Sequence, residues 1–112
     1  MPAYPTLRRR ADFEAVTRSG SLSAGRLLVL RARRNGGPIT RIGLATPASL
    51  GGAVERNRVR RRVRELVRAR YGGMGAGWDL LVIVKPDARR ASYAELGAAL
   101  DSVLARAGVL GE

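Results

Sequence analysis

The most concentrated chemistry in this sequence is a run of arginines between positions 56 and 70. Eight of these fifteen residues are arginine. A guanidinium group donates hydrogen bonds in a planar fork that matches phosphate oxygens, and it also stacks on flat rings. The run therefore predicts binding to a polyanion, above all to the phosphate backbone of a nucleic acid.

The spacing of the run predicts an ordered helix rather than a disordered basic tail. At about 100° per residue, the apolar residues and one arginine share a face, as in a helix docked on a core. These residues are Val59, Val63, Leu66, Val67 and Arg70. The opposite face carries Asn57, Arg61, Arg64 and Arg68, with Arg58 and Arg62 on one flank and Arg60 on the other. We expect RNA contacts from Arg56, Asn57, Arg58, Arg60, Arg61, Arg64 and Arg68.

So much like charge on one helix has an electrostatic cost. Arginines three or four positions apart repel each other by about 0.2–0.5 kcal/mol per pair, and only Glu65 lies inside the run to offset this. A polyanion that neutralises the face explains the pattern better than a solvated face without a ligand. Asn57 has a second interpretation, as the cap that begins the helix, because Asn is favoured at that position.

The rest of the composition excludes most catalytic chemistry. The net charge is +12, and the chain contains neither His nor Cys, which excludes disulfides, thiol nucleophiles and imidazole acid–base groups. Nine carboxylates are present, but they show no spacing that suits two metal ions. Asp12 and Glu14 point to different sides of a predicted helix, and Asp79 and Asp87 flank a predicted strand. We therefore expect no catalytic residue and no metal or cofactor bound by this protein alone.

The length of 112 residues suits one domain over positions 1–112, with flexible ends at 1–6 and 108–112. The N-terminus has no apolar segment typical of a signal peptide. No stretch approaches the ~18 apolar residues of a membrane span. We expect a cytoplasmic protein that does not bind membranes.

Periodicity and turn residues place the elements around the arginine helix. Helices are predicted at 10–19, 53–71 and 92–106, the last with a Ser92–Glu95 capping box. Strands are predicted at 27–34, 41–46 and 78–84. The turn residues at 35–38 favour a hairpin between the first two strands. The pattern predicts an α/β chain, in the sense of an α+β two-layer sandwich.

Several motifs carry a resemblance to a known family. They are Arg41-Ile42-Gly43-Leu44, then Gly-Gly-Ala-Val-Glu-Arg-Asn-Arg-Val-Arg-Arg from Gly51 to Arg61, then Arg64-Glu65. An Asp12-Phe13 pair lies in the first predicted helix. With these motifs, the sequence resembles the bacterial ribonuclease P protein family over about residues 6–107.

The resemblance implies a sheet of about four strands with three helices, in the order α-β-β-β-α-β-α. It also implies a left-handed crossover through the arginine helix, an uncommon hand for such a connection. In function it implies the non-catalytic protein subunit of an endoribonuclease, joined 1:1 to ribonuclease P RNA. The RNA holds the catalytic Mg²⁺ and performs the hydrolysis, and the substrate is precursor tRNA.

A cleft between the sheet and the first helix is implied to bind the single-stranded 5′ leader of the precursor. The family places several aromatic residues there, whereas this sequence has Thr17, Leu28 and Arg31 at the corresponding positions. Phe13 remains as a stacking side chain, although a lone Phe on a helix face equally fits a core role. We expect leader contacts from Phe13, Arg18, Arg26 and Arg31. The loop before the arginine helix also departs from the family, with uncharged Pro47-Ala48-Ser49 in place of Ser-Lys-Lys.

Three other functions compete with this one. A ribosome-associated RNA-binding protein is equally small and basic, but the Arg-Asn-Arg helix after Ala-Val argues against it. A DNA-binding module would mix Asn, Gln, Ser and Arg on its recognition face to read base edges, whereas a nearly pure arginine face suits phosphates. An autonomous nuclease would need the metal or acid–base groups that the composition does not supply.

Overall fold

A computed structural model describes residues 4–110, and this part of the chain contains four strands and three long helices. The helices are α1 (Arg10–Ser19), α2 (Ala53–Arg70) and α3 (Tyr93–Arg106). The strands are β1 (Ser21–Ala24), β2 (Leu28–Arg34), β3 (Arg41–Ala45) and β4 (Trp78–Val84). Short 3-10 helices at Ala48–Leu50, Tyr71–Gly73 and Pro86–Arg90 connect them. The predicted fold class and element order are confirmed.

The sheet has the strand order β1-β2-β4-β3. β1 pairs antiparallel with β2, and β2 pairs antiparallel with β4, whereas β3 and β4 are parallel. Strand β4 is covered on both faces, which explains its continuous apolar sequence from Leu80 to Val84. A parallel pair needs a crossover connection, and α2 lies in that connection. The hand of the crossover stays a prediction of the resemblance.

The predicted hairpin between β2 and β3 is wrong, because β4 lies between these strands. The segment after β2 instead passes the beginning of β4, where the backbone amide of Asn35 donates to the Gly77 carbonyl at 2.8 Å. Turn residues indicate where a chain reverses but not which strand becomes its neighbour. Strand β4, which is more apolar than β3, takes an interior position between β2 and β3, where its side chains are better shielded from water than at the edge.

Helices pack on both faces of the sheet. The larger core lies between the sheet and helices α2 and α3, and it includes Leu30, Leu80, Val63 and Leu100. The smaller core lies under α1 and contains Leu7, Val16 and Leu81, with Phe13 packed against them. Helix α1 thus adds a partial third layer to the predicted two-layer sandwich.

A buried carboxylate connects these layers. Asp79 of β4 is 1% exposed, and Arg41 of β3 donates two hydrogen bonds to it, at 2.7 and 3.0 Å. Arg41 also bonds to Asp12 of α1 at 3.2 Å, and the Asn35 side chain donates to Asp79 at 2.8 Å. Burial alone would raise the pKa of Asp79, but the hydrogen bonds from Arg41 and Asn35 and the charge of Arg41 lower it below its usual value.

The described residues at both ends pack against the rest of the fold, and the expectation of flexible ends stays a prediction. Tyr4 is buried and stacks on Tyr71 with ring centroids 6.0 Å apart, and Thr6 forms a β-bridge with Ile42. Near the other end, Val109 is buried and Leu110 forms a bridge with Met74. Apolar residues close to a chain end can reach the core when the adjoining element already lies beside it. Residues 1–3 and 111–112 lie outside the described range.

We predict that Asp79→Asn destabilises the protein by about 3 kcal/mol, because it removes the charged partner of a guanidinium in a largely desolvated network. Asp101→Asn is the matched control, since it removes a half-exposed carboxylate from Arg70 and should cost less than about 1 kcal/mol. Urea unfolding at pH 7 measures both. Equal unfolding midpoints for the two variants would contradict the structural role of Asp79.

The lowered pKa of Asp79 also predicts a pH dependence of stability. A carboxylate with a depressed folded pKa stabilises the protein above its unfolded value of about 4, and this contribution is lost as the pH falls through the folded pKa. The free energy of unfolding of the wild type should therefore fall more steeply below pH 4 than that of Asp79→Asn. Urea titrations between pH 7 and pH 2 test this, and parallel curves would argue against it.

Candidate nucleic-acid interface

Helix α2 has the two-sided character that its sequence predicts. Val59, Val63, Leu66 and Val67 are buried in the larger core. The opposite side is exposed and consists of Asn57, Arg61, Arg64 and Arg68, which we call the arginine face. The interpretation of Asn57 as a helix cap is wrong, because α2 begins at Ala53 with Gly52 in the cap position.

The centre of the arginine face consists of side chains that have no bonded partner within the described part of the chain. Among residues 4–110, no side-chain hydrogen bond or ion pair involves Arg61 or Arg64, and both are exposed. Arg68 pairs with Glu65 at 2.6 Å. The hydrogen bond and charge of Glu65 raise the pKa of Arg68. At least two guanidinium groups could therefore bind phosphate without breaking a hydrogen bond or ion pair to another described residue.

The arginines on the flanks hold α2 to its neighbours. Arg58 donates to the carbonyl of Arg89 and Arg62 to the carbonyl of Ala91, each at 3.4 Å. On the other flank, Arg60 donates to the hydroxyl of Thr46, just after β3. The predicted contacts Arg58 and Arg60 thus have structural partners as well as a place beside the arginine face.

The loop before α2 has a backbone conformation at position 51 that strongly favours glycine. Gly51 has φ 139°, and a Cβ atom there would lie 2.2 Å from the Glu55 carboxylate. No side chain caps the helix at Gly52. Arg56, in the first turns, is partly buried, and its Nε has no hydrogen-bond partner among the described residues. The positive end of the helix dipole and the charge of Arg56 both favour binding of an anion at the beginning of α2 and disfavour binding of a cation there.

A second basic region lies on the face of the sheet that α1 covers. Arg31 is opposite Leu81 of β4 and Leu22 of β1, and Leu22 is 56% exposed. On α1, Phe13, Thr17 and Arg18 line a hollow of about 440 Å³ together with Arg10 and Glu14. Exposed apolar and basic groups therefore lie on both α1 and the neighbouring strands.

Phe13 belongs to the smaller core as well as to this hollow. A Cβ atom at Gly43 would lie 2.7 Å from Cε1 of the Phe13 ring, so the absence of a side chain at Gly43 allows α1 to approach the sheet closely. Phe13 is partly buried against Leu7 and Leu81. The structure thus assigns the ring a packing role, and one edge still lines the hollow.

Two residues that the sequence places in the cleft lie elsewhere. Leu28 is fully buried in the larger core, because it is three positions from Arg31 and side chains alternate between faces along a strand. Arg26 is in the turn between β1 and β2, where it lines hollows with residues of α3 and of the segment Pro86–Arg90. Its ion pair with Asp87 measures 3.8 Å. The prediction that Arg26 shares a cleft with Phe13 and Arg31 is wrong.

Sequence reasoning also missed basic residues that adjoin the arginine face. The segment Pro86–Arg90 carries Arg89 and Arg90, and its backbone accepts the hydrogen bond from Arg58. Arg89 reaches the carbonyl of Leu50 at 3.4 Å and the carboxylate of Glu55 at 3.6 Å. The sequence signal for Arg89 and Arg90 is a basic pair that shortly precedes the Ser92–Glu95 capping box. Their position beside the arginine face is revealed only by the packing of α3 beside α2.

The described residues offer no donor set for a metal ion. Asp12 and Asp79 share the guanidinium of Arg41. Within residues 4–110 there is no group of three or more His, Cys, Asp or Glu side chains placed to hold a metal. Over the same range, no helix is long and apolar enough to cross a membrane.

Comparison with known proteins finds one family model and several relatives that cover most of this chain. The family model described as Ribonuclease P matches residues 1–108. The ribonuclease P protein component of Roseiflexus sp. (strain RS-1) is 41% identical over 105 residues, which are 93% of this chain and 86% of that protein. The corresponding protein of Acidothermus cellulolyticus is 41% identical over 108 residues, with 95% of this chain and 90% of that one covered.

Solved structures show the same fold. The RNase P protein of Staphylococcus aureus matches with a TM-score of 0.86 and 26% identity, over 95% of this chain and 97% of its own. The RNase P protein of Thermotoga maritima matches with a TM-score of 0.82 and 28% identity, over 90% and 96% of the two chains. On the family match and these relatives, the chain belongs to the ribonuclease P protein family.

Proposed function

We propose that this protein binds the catalytic RNA of ribonuclease P through its arginine face and assists removal of the 5′ leader from precursor tRNA. The observation that carries the proposal is the exposure of Arg61 and Arg64 on an ordered helix, without partners among residues 4–110. Arginine side chains that converge on one face form a phosphate-binding surface. Arg56, Asn57, Arg58, Arg60 and Arg68 extend this surface.

The division of labour follows from the chemistry available. Phosphodiester hydrolysis needs an activated water and stabilisation of the developing charge, commonly by metal ions. The carboxylates of the described chain form no metal site, so the RNA subunit is the proposed holder of the catalytic Mg²⁺. The protein acts as a non-catalytic subunit. Its arginines neutralise phosphates that would otherwise require additional cations.

The 5′ leader is the proposed ligand of the region between α1 and the sheet. Phe13 offers a partly exposed ring that lines a hollow together with Arg18, and Arg31 supplies positive charge from β2. Base–aromatic stacking is worth about 1–3 kcal/mol per base, and this region has one aromatic ring. Leader binding therefore depends more on charge here, and Arg26 contributes only through its long-range field.

The proposed partners are one ribonuclease P RNA per protein chain and precursor tRNA, in the cytoplasm. A DNA duplex is a poorer ligand, because the arginine face carries almost no side chains that distinguish base edges. Membranes are not proposed as partners.

Reconstitution tests the function directly. We predict that a mixture of this protein and its ribonuclease P RNA cleaves precursor tRNA at the mature 5′ end at low Mg²⁺, whereas each component alone does not. Gel analysis of end-labelled precursor measures the product. If the protein binds RNA but adds nothing to cleavage, a ribosome-associated role becomes the better hypothesis. Cleavage by the protein without RNA would instead support an autonomous nuclease.

Charge reversal tests the arginine face. We predict that Arg61→Glu with Arg64→Glu weakens binding to ribonuclease P RNA at least tenfold, because two side chains that attract phosphate become repulsive. The slope of log K against log salt should also become shallower by about 0.7–0.9 for each phosphate that the variant no longer neutralises. Thermal melting should change little, since both side chains are exposed.

The matched control reverses two exposed arginines outside α2 whose side chains make no hydrogen bond or ion pair among residues 4–110, Arg8→Glu with Arg9→Glu. It changes the net charge equally, so it isolates the contribution of position from that of total charge. The control variant should bind the RNA more tightly than the α2 variant. Equal affinities for the two variants would show that long-range charge, and not the arginine face, governs binding.

A further inference from the structure

Tyr93 is an exposed aromatic side chain in a protein with few aromatics. Aromatic residues make up 4% of the chain, and Tyr4 and Trp78 are buried. Phe13 and Tyr71 are partly covered by the cores against which they pack. Tyr93 is 49% exposed. The packing of the fold therefore does not account for an aromatic residue at this position.

The packing of α3 places Tyr93 beside α2. Tyr93, Gly97 and Asp101 are spaced four residues apart and so form one row along α3. A Cβ atom at Gly97 would lie 3.3 Å from the Leu66 side chain, and Asp101 forms an ion pair with Arg70 at 2.5 Å. Two members of the row thus contact α2, and Tyr93 continues the row by one turn toward the N-terminus of α3.

The charges around Tyr93 come from the arginine face, from its flank and from the segment Pro86–Arg90. Arg62 donates to the carbonyl of Ala91, two residues before Tyr93. The pKa of Arg68 is raised mainly by Glu65 and to a smaller extent by the nearby Tyr93. Arg90 is exposed three residues earlier in the chain. Tyr93 therefore lies at the border of the arginine face, on the side toward α3.

Two backbone amides at the beginning of α3 already donate to side chains, so they are not available to bind a ligand. The Ser92 side chain accepts from the amide of Glu95 at 3.1 Å, and the Glu95 side chain accepts from the amide of Ser92 at 2.8 Å. This capping box satisfies donors that could otherwise bind an anion. A ligand at this position would meet the Tyr93 ring and the neighbouring guanidinium groups.

We propose that Tyr93 is a stacking site for an unpaired nucleotide of the RNA bound on the arginine face. An aromatic ring beside arginines is the arrangement that single-stranded nucleic acid requires, with stacking for the base and positive charge for the phosphates. An unpaired nucleotide is specified because paired bases are already stacked within their helix. The net charge of +12 favours RNA over an apolar protein partner. This inference rests on the proposed function.

Three substitutions separate stacking from other roles of the side chain. Tyr93→Phe keeps the ring, Tyr93→Leu keeps apolar bulk without a ring, and Tyr93→Ala removes both. We expect Tyr93→Phe to bind ribonuclease P RNA like the wild type, while the Ala and Leu variants bind roughly five- to tenfold more weakly. The slope of log K against log salt should stay unchanged, because a ring releases no counterions. Thermal melts check that all three variants fold.

Two titrations identify which RNA supplies the nucleotide. Weaker binding of the Ala variant to ribonuclease P RNA alone assigns the nucleotide to the RNA subunit. Unchanged binding there, with a raised KM for precursor tRNA in the holoenzyme, assigns it to the precursor. No change in either titration, or equal losses for the Phe and Ala variants, would overturn the proposal. Failure of the wild type to bind the RNA would instead refute the proposed function.

Discussion

The buried carboxylate of Asp79 is the interaction on which the arrangement of this protein depends. It is held by Arg41 of the neighbouring parallel strand, and Arg41 in turn reaches Asp12 of α1. Removing such a group from water is costly unless its hydrogen bonds are complete, so the three elements are constrained to one relative position. Because β3 leads through a short loop into α2, the same register of Arg41 against Asp79 also determines where the arginine helix begins.

One face of helix α2 packs on the core, and the opposite face is the proposed RNA-binding surface. The apolar contact that stabilises the helix comes from Val59, Val63, Leu66 and Val67. The flanking Arg58 and Arg62 bond to backbone carbonyls of the segment before α3. The repulsion among the remaining guanidinium groups is not relieved within residues 4–110, apart from the Glu65–Arg68 and Arg70–Asp101 pairs. A bound polyanion would relieve it, which is consistent with the proposed binding of RNA.

The helices could be predicted from sequence because their periodicity is local, and the buried and exposed faces of α2 follow from 3.6-residue spacing alone. Strand order could not be predicted from the sequence. The separation of β2 from β3 depends on β4, which lies far along the chain from the turn that joins β2 to β3. For the same reason the sequence misplaced Arg26, whose side of the sheet depends on a turn. The contact of Arg41 with Asp79 spans 38 positions, and no local pattern indicates it. Family resemblance supplied the two RNA-facing regions but not the packing of Pro86–Arg90 against α2.

The carbonyl contacts of Arg58 and Arg62 also bear on the entropy of the proposed RNA binding. A long, freely rotating arginine loses about 0.5–1.5 kcal/mol of conformational entropy when a ligand immobilises it. A side chain that already donates one hydrogen bond to the backbone has fewer rotamers left to lose, and a guanidinium has five N–H donors, so others remain for phosphate. The flanks of α2 are therefore partly preorganised, whereas Arg61 and Arg64 must be ordered by the RNA itself. We therefore expect the proposed RNA contacts to be more rigid at the flanks of α2 and more adaptable at the centre of the arginine face.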